Sequence, residues 1–528
     1  MKFKIVLRRD SCIYFFMEEK IQDKTSSSTR RIAKNTLMLY FRQILIMVVS
    51  LYTVRVVLNT LGAEDYGIYN VVAGVVTMFS FLSGSLASSF QRYLTVDLTT
   101  GDHARLRETF TLGLGIFLLL GMILLVVFES VGLWFVTHRL VIPRERLFAA
   151  VCVYQASIIS FVVLLALAPY QAMLLAMENM SVYAYVSVIE VLLKLAIVFI
   201  LKAISADKLA VYGFLLLLVP VVNIMLYVGY SLKKYPQIKG LPRWKWSRQK
   251  ELVSYTSWNL IGSMVPAIRN QGINILVNMF FAPVVNAARG IAYQVGNALM
   301  SFSSNFSVAL RPQIIQQYTV GNKDESFRFV YRGCKVCYFL LWILSLPLLG
   351  NLSQVLSLWL RAVPVDTEIL TRLVIMDALV ECLAYPLIAL MHSHGRLKEY
   401  QITVGTIQLL NLPISFFLLR AGYPVQSTMF VAIILSIIAI LGRLILLNRL
   451  TGLPILRFFK EVLFPVVLVT VTSYIFSIVI SKGLNGTGFV LLLVRCGVIF
   501  MVVLGCIFLL GLNSIERKTI MSKLKRGN

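Results

Sequence analysis

The sequence predicts an all-α, polytopic membrane protein of about fourteen transmembrane helices, on three observations: composition, the succession of apolar stretches, and the sidedness of its charge. Of 528 residues, 58% are apolar and 14% charged, with a mean hydropathy of +0.80. A soluble chain of this length needs a fuller charged shell to stay dispersed. A bilayer crossing takes about 20 mostly apolar residues. Such stretches succeed one another at 36–58, 69–90, 111–136, 148–168, 180–201, 209–231, 253–281, 286–310, 329–349, 369–391, 399–419, 425–447, 462–481 and 488–511. The segments between them hold about 20 residues or fewer, too few for a soluble domain.

The net charge of +26 is distributed by side. With Arg289, Arg332, Lys335 and Arg443, near span ends, counted with the adjoining loops, 35 of the 50 Lys and Arg fall on the N-terminal side of the membrane and nine on the other. Arg42, Arg55, Lys194, Arg269, Arg372 and Arg495 lie within spans. This asymmetry follows the positive-inside rule and puts both termini in the cytoplasm. The basic residues therefore read as orientation signals and anionic-lipid contacts, not as a nucleic-acid surface.

Residues 1–35 are basic and polar, with a Ser/Thr run at Thr25–Thr29. The apolar patch Cys12–Met17 is too short for a secretory signal core, and Met17 offers an alternative start that would leave 1–16 as an extension. The seven cysteines are scattered, and the lone C-x-x-C of Cys334 and Cys337 reads as packing; no disulfide framework or metal site is expected.

An internal repeat organises the spans. Thr99-Thr100-Gly101-Asp102 is echoed 220 residues later by Thr319-Val320-Gly321-Asn322. Gly67-Ile68-Tyr69-Asn70-Val71 has its echo in Gly290–Val295, and Asn59 in Asn278, at offsets of 223 and 219. A period of six spans returns the chain to the same side, so the halves relate by an axis along the membrane normal. The expected organisation is a segment 1–35, a lobe 36–231, a basic linker 232–252 with Trp244 and Trp246, and a lobe 253–447. Two peripheral helices (448–511) and a basic tail (512–528) follow.

Polar residues at membrane depth mark where function lies, because a charge at a helix centre costs about 2.5–3.5 kcal/mol on insertion scales. In the seventh span Asn270, Asn274 and Asn278 recur at i, i+4, i+8 along one face, beside Arg269 and Gln271. Pro266, Gly262 and Gly272 make this helix a candidate for bending. The eighth span adds Arg289, Gln294, Asn297, Ser301, Ser304 and Asn305. Amides and hydroxyls can simply join helices, but an arginine beside an amide stripe points to a hydrated, donor-rich surface. Arg42 and Arg55 lie at opposite ends of the first span, where snorkelling is an equal alternative. Glu190 and Lys194 are spaced as a self-neutralised i, i+4 pair. Asp377 and Glu381 share a face of the tenth span. They either bind a coupling proton or sodium ion or pair with Arg269 or Arg495. His392 and His394 read as solvated loop residues, and Glu64 and Asp65 as a turn. There is no P-loop and no long outer loop with catalytic groups, so no enzyme activity and no cofactor is expected.

The run from Arg31 to Thr36 and from Ser50 to Val72 resembles the opening of bacterial polysaccharide-biosynthesis flippases, the O-antigen and capsule-repeat exporters, in the version found in Bacteroides-like bacteria. Asn270–Asn278, Pro283–Val295 and Arg311-Pro-Gln-Ile-Ile315 are similar to the same group, and the resemblance covers about 31–460. It implies two six-helix lobes working by alternating access, in the superfamily that also holds multidrug/cation antiporters and the peptidoglycan-precursor flippase. The implied cargo is an undecaprenyl-pyrophosphate-linked oligosaccharide, moved across the bacterial cytoplasmic membrane. Arg55, Arg269 and Arg289 would receive the pyrophosphate, and Asn270, Asn274 and Asn278 the sugars. Membrane lipids, polysaccharide polymerase machinery and a monomeric state complete what it implies. A drug/cation antiporter and a membrane-embedded glycan polymerase or ligase are the alternatives.

Overall fold

A computed structural model describes residues 43–99, 103–177, 179–236, 246–394, 397–484, 486, 488–513 and 516–518. The expectations for 1–35, Arg42, Thr100, Gly101, Asp102, Trp244 and the end of the tail lie outside these residues. Among the described residues every regular element is helical. Among the described residues the chain makes fourteen long passes. The helical run 43–77, which continues after a turn at 78–79 into Ser80–Thr99, divides at Gly62 into α1 (43–61) and α2 (63–99). Then follow α3 (103–138), α4 (144–176), α5 (180–203), α6 (208–234), α7 (246–280), α8 (283–319), α9 (323–350), α10 (367–394), α11 (397–420), α12 (426–451), α13 (455–483) and α14 (489–511).

The α1–α2 reversal turns on Gly62, whose φ of +85° is open only to a residue without Cβ at low cost. Packing shows the change of direction. Ser50 on α1 meets Gln294 of α8, whereas Gly67 just past the turn abuts Pro283, and Asn70 abuts Gly290. The chain climbs one way along α8 and then returns. α8 ends at Thr319 and α9 begins at Lys323 after Gly321, whose φ is +89°; the residues that match this turn 220 positions earlier, Thr100 to Asp102, lie outside the described residues.

The two largest of four apolar cores among the described residues lie one in each lobe. One holds Ile68, Phe128, Tyr154, Leu165 and Tyr227; the other holds Tyr331, Trp342, Leu387, Leu444 and Val503. Lipid tails are as apolar as leucine, so these contacts stabilise through close packing more than through release from water. α13 and α14 lean on α9, where Trp342 Nε1 donates to Ser473 and Tyr338 meets Thr470. Only 28% of their apolar windows is buried, against 72% for α10. α10 is thus central and the last two helices peripheral. Among the described residues eleven helices are long and apolar enough to cross a membrane; α7, α8 and the 80–99 part of α2 are more polar and are not among them, and α7 and α8 run between neighbours on both sides.

α10 is broken at 382–383, between Thr367–Glu381 and Ala384–His394. Pro386 cannot donate to the carbonyl four residues back, and its ring crowds that carbonyl. Cysteine thiols bond carbonyls beside the break: Cys334 Sγ donates to Leu383 O at 3.3 Å and Cys382 Sγ to Leu379 O at 3.1 Å. The break places Glu381 at the end of the first half-helix.

Candidate functional site

The polar stripe of α7 divides by depth. At its centre Arg269 forks between two carboxylates of α10: Nη1 to Glu381 Oε1 at 2.6 Å and Nη2 to Asp377 Oδ2 at 2.7 Å. The other Asp377 oxygen accepts from Ser436 on α12 at 2.6 Å. Of the two pairings open in sequence, the structure selects Arg269. Arg495 instead donates to Asn351 at 3.0 Å and to the carbonyls of Leu484 and Gly486. Three charges so placed leave one net negative charge, in a site where the geometry satisfies both acids.

This cluster lines a cavity of about 380 Å³ walled by α7, α8 and α10, with Asn270, Tyr293, Asn297 and Ser304. A second cavity of about 600 Å³ adjoins it through Pro266, Glu381 and Tyr385 and extends to His392 and Tyr400. These last residues lie toward the face carrying Arg105, Lys233, Lys323 and Arg449, hereafter the basic face. α2 contributes Ser85 and Ser88 and α11 contributes Gln401 and Gln408, so the larger cavity lies where the lobes meet.

The rest of the stripe does other work. Asn274 is buried, donates to Asn70 O at 3.1 Å, and receives Asn286 at 2.7 and 3.0 Å. Asn278 is fully buried; its amide oxygen accepts from Val141 N–H at 2.9 Å and its NH2 donates to Val141 O at 3.4 Å. Arg289 is 4% exposed, stacks 4.2 Å from the Tyr293 ring centroid and donates to Asn270. Arg55 is half-buried on α1, and none of the three cavities described here has it in its wall. The structure therefore gathers Arg269, Asn270, Asp377 and Glu381 at one cavity, and sets Arg55, Asn274, Asn278 and Arg289 apart from its lining. Periodicity put the three asparagines on one face, but it carries no information on what that face meets at each depth.

Sequence reading overlooked Arg443. It counts there among the basic-face residues, yet it is 5% exposed and lines the larger cavity, with Nε donating to Tyr400 Oη at 2.9 Å. In the first lobe a third cavity of about 410 Å³ contains the Lys194–Glu190 pair, 2.7 Å apart, with Asn223 on the second Glu190 oxygen at 3.1 Å. Asp65 pairs with Arg146, which also holds Asp207 at 2.8 Å, tying three connections on the face opposite the basic one. His394 meets Tyr318 at 3.1 Å. Cys334 and Cys337 are free and buried, and among the described residues no His, Cys, Asp and Glu group could hold a metal ion.

No family model and no curated protein matches the chain. Solved structures do. An inward-facing multidrug resistance MATE family transporter of the MOP superfamily is 12% identical over 79% of this chain and 94% of its own, with a TM-score of 0.57. The lipid II flippase MurJ, in an inward closed conformation, is 12% identical over 90% of this chain and 99% of its own, with a TM-score of 0.61. A MATE protein in a bent conformation is 12% identical over 80% and 98%, with a TM-score of 0.53. At such identities the likeness is one of fold alone.

Proposed function

We propose that the chain is a flippase that carries undecaprenyl-pyrophosphate-linked oligosaccharide repeat units across the cytoplasmic membrane by alternating access, with its basic face and both termini in the cytoplasm. The carrying observation is the chemistry of the joined cavities. Arginines at two depths suit a diphosphate. Asn270, Asn297, Gln401 and Gln408, with Tyr293 and Tyr385, suit a hydroxyl-rich head group. The lobes 36–231 and 253–447 are the moving bodies. They are closed on the far face by Asn278 on Val141 and by Gly67 on Pro283, and the cavity reaches toward the basic face. The lipid tail stays in the bilayer while the head group passes between α2 and α7. Arg269 is the inner cargo contact, and its release from Glu381 accompanies loading. Membrane lipids and polymerase machinery are the partners, and the working unit is a monomer.

A multidrug/cation antiporter is the second reading, favoured by one observation: two carboxylates against one arginine leave the inner cavity net negative. Reconstitution separates the two. Vesicles containing the protein and a fluorescent undecaprenyl-pyrophosphate oligosaccharide should show movement between leaflets faster than empty vesicles. No acceleration with a matched oligosaccharide, together with efflux of a cationic dye, would transfer the assignment to the antiporter.

A further inference from the structure

We propose that Arg443 is the core of a docking site for a phosphate-class anion at the basic-face mouth of the larger cavity. The argument begins with a comparison of the buried cations. Arg269 is taken by Asp377 and Glu381, Arg289 by Asn270 and the Tyr293 ring, Arg495 by Asn351 and two carbonyls, and Lys335 by Glu516. Arg443, 5% exposed, has only the Tyr400 hydroxyl on its Nε and the same ring, whose centroid is 6.0 Å away. Among the described residues no carboxylate meets it. Its two terminal nitrogens therefore keep their donors for whatever enters the cavity it lines.

A buried cation without a counter-charge is a cost unless an anion or water takes its place. The tyrosine fixes the guanidinium by one edge, which leaves the other edge as a planar fork for two oxygens of one ligand. Gln401 and Gln408 in the same walls supply amide donors for further oxygens, which a phosphate has and a carboxylate lacks. Glu381 marks the inner limit of this cavity, and its charge is already engaged by Arg269. The anion thus stops at Arg443, two helical turns along α12 from Ser436, before it competes for Arg269.

The inference deepens the flippase reading and rests on it for the lipid as source of the anion; a soluble diphosphate has the same chemistry. Calorimetric titration of the purified full chain with inorganic pyrophosphate should show saturable binding. Arg443→Gln should weaken it by about tenfold or more, with Arg443→Lys between the two, because lysine keeps the charge and loses the fork. If Arg443→Gln fails to fold, Ser88→Asp serves instead: it leaves Arg443 in place and sets a negative charge in the exposed α2 wall, and should weaken binding likewise. Arg372→Gln, at an arginine paired with Glu368, should leave binding unchanged. Absence of saturable binding, or equal binding by Arg443→Gln and by Ser88→Asp, overturns the proposal. Displacement of pyrophosphate by undecaprenyl diphosphate in detergent, and not by undecaprenol, assigns the site to the lipid; no displacement assigns it to the soluble anion and overturns the lipid source. Intact binding with no movement between leaflets would overturn the flippase reading alone.

Discussion

Asn278 and Val141 exchange hydrogen bonds across the lobes: the asparagine oxygen accepts the Val141 N–H at 2.9 Å and its NH2 donates to the Val141 carbonyl at 3.4 Å. One fully buried side chain thereby satisfies both backbone groups of a residue in the α3–α4 connection whose own side chain is exposed. The contact holds the end of α7 to the first lobe on the face away from the cavity.

Removing that contact should loosen the closure. Asn278→Ala leaves two backbone groups without partners, at about 1–3 kcal/mol each if they stay buried. A cysteine placed at Asn297 in a cysteine-free background should then react faster with a membrane-impermeant thiol reagent added to the face opposite the basic one. Unchanged labelling would mean that the latch does not bias the lobes.

Arg269→Ala strands Asp377 and Glu381 in a confined site, a change that costs about 3–5 kcal/mol where a buried pair is broken. The expected result is a lower melting temperature together with lost transport. Adding Glu381→Gln should recover stability by removing one of the stranded charges, while transport stays lost. If the double variant transports, Arg269 is structural only.

Gly67 and Gly62 should respond differently to alanine. A Cβ at Gly67 would fall 1.8 Å from the Pro283 carbonyl oxygen, so α2 must withdraw from the start of α8. At Gly62 there is open space, and the penalty is the φ of +85°, about 1 kcal/mol. Thermal unfolding should therefore show the larger loss for Gly67→Ala, and transport should fall only there. Equal losses would remove the close approach of α2 to α8 as a determinant.

Arg495→Ala should cost stability without touching transport per folded molecule. Its guanidinium organises the α13–α14 connection through Asn351, Leu484 and Gly486, on the peripheral side of the second lobe. Melting in detergent measures the first quantity, and leaflet exchange normalised to folded protein the second. A transport loss beyond the loss of folded protein would give the last two helices a part in the cycle.

What the sequence determined by itself is the membrane fold, since span length, apolarity and charge sidedness are local properties that need no knowledge of neighbours. The two lobes were legible too, because a 220-residue repeat is spacing alone. What only the tertiary structure decided is which polar groups face open space. Arg269 finds its acids 108 and 112 residues away, and Asn278 finds Val141 137 residues away. Within one α7 stripe, Asn270 reaches a cavity while Asn274 and Asn278 join helices. Arg443 merges in a count of basic residues with the orientation signals around it, although it is buried at a cavity wall. Periodicity assigns a side chain to a face of its helix. Whether that face meets a carboxylate, a backbone or water depends on how the helices dock, and docking joins residues that no local pattern connects.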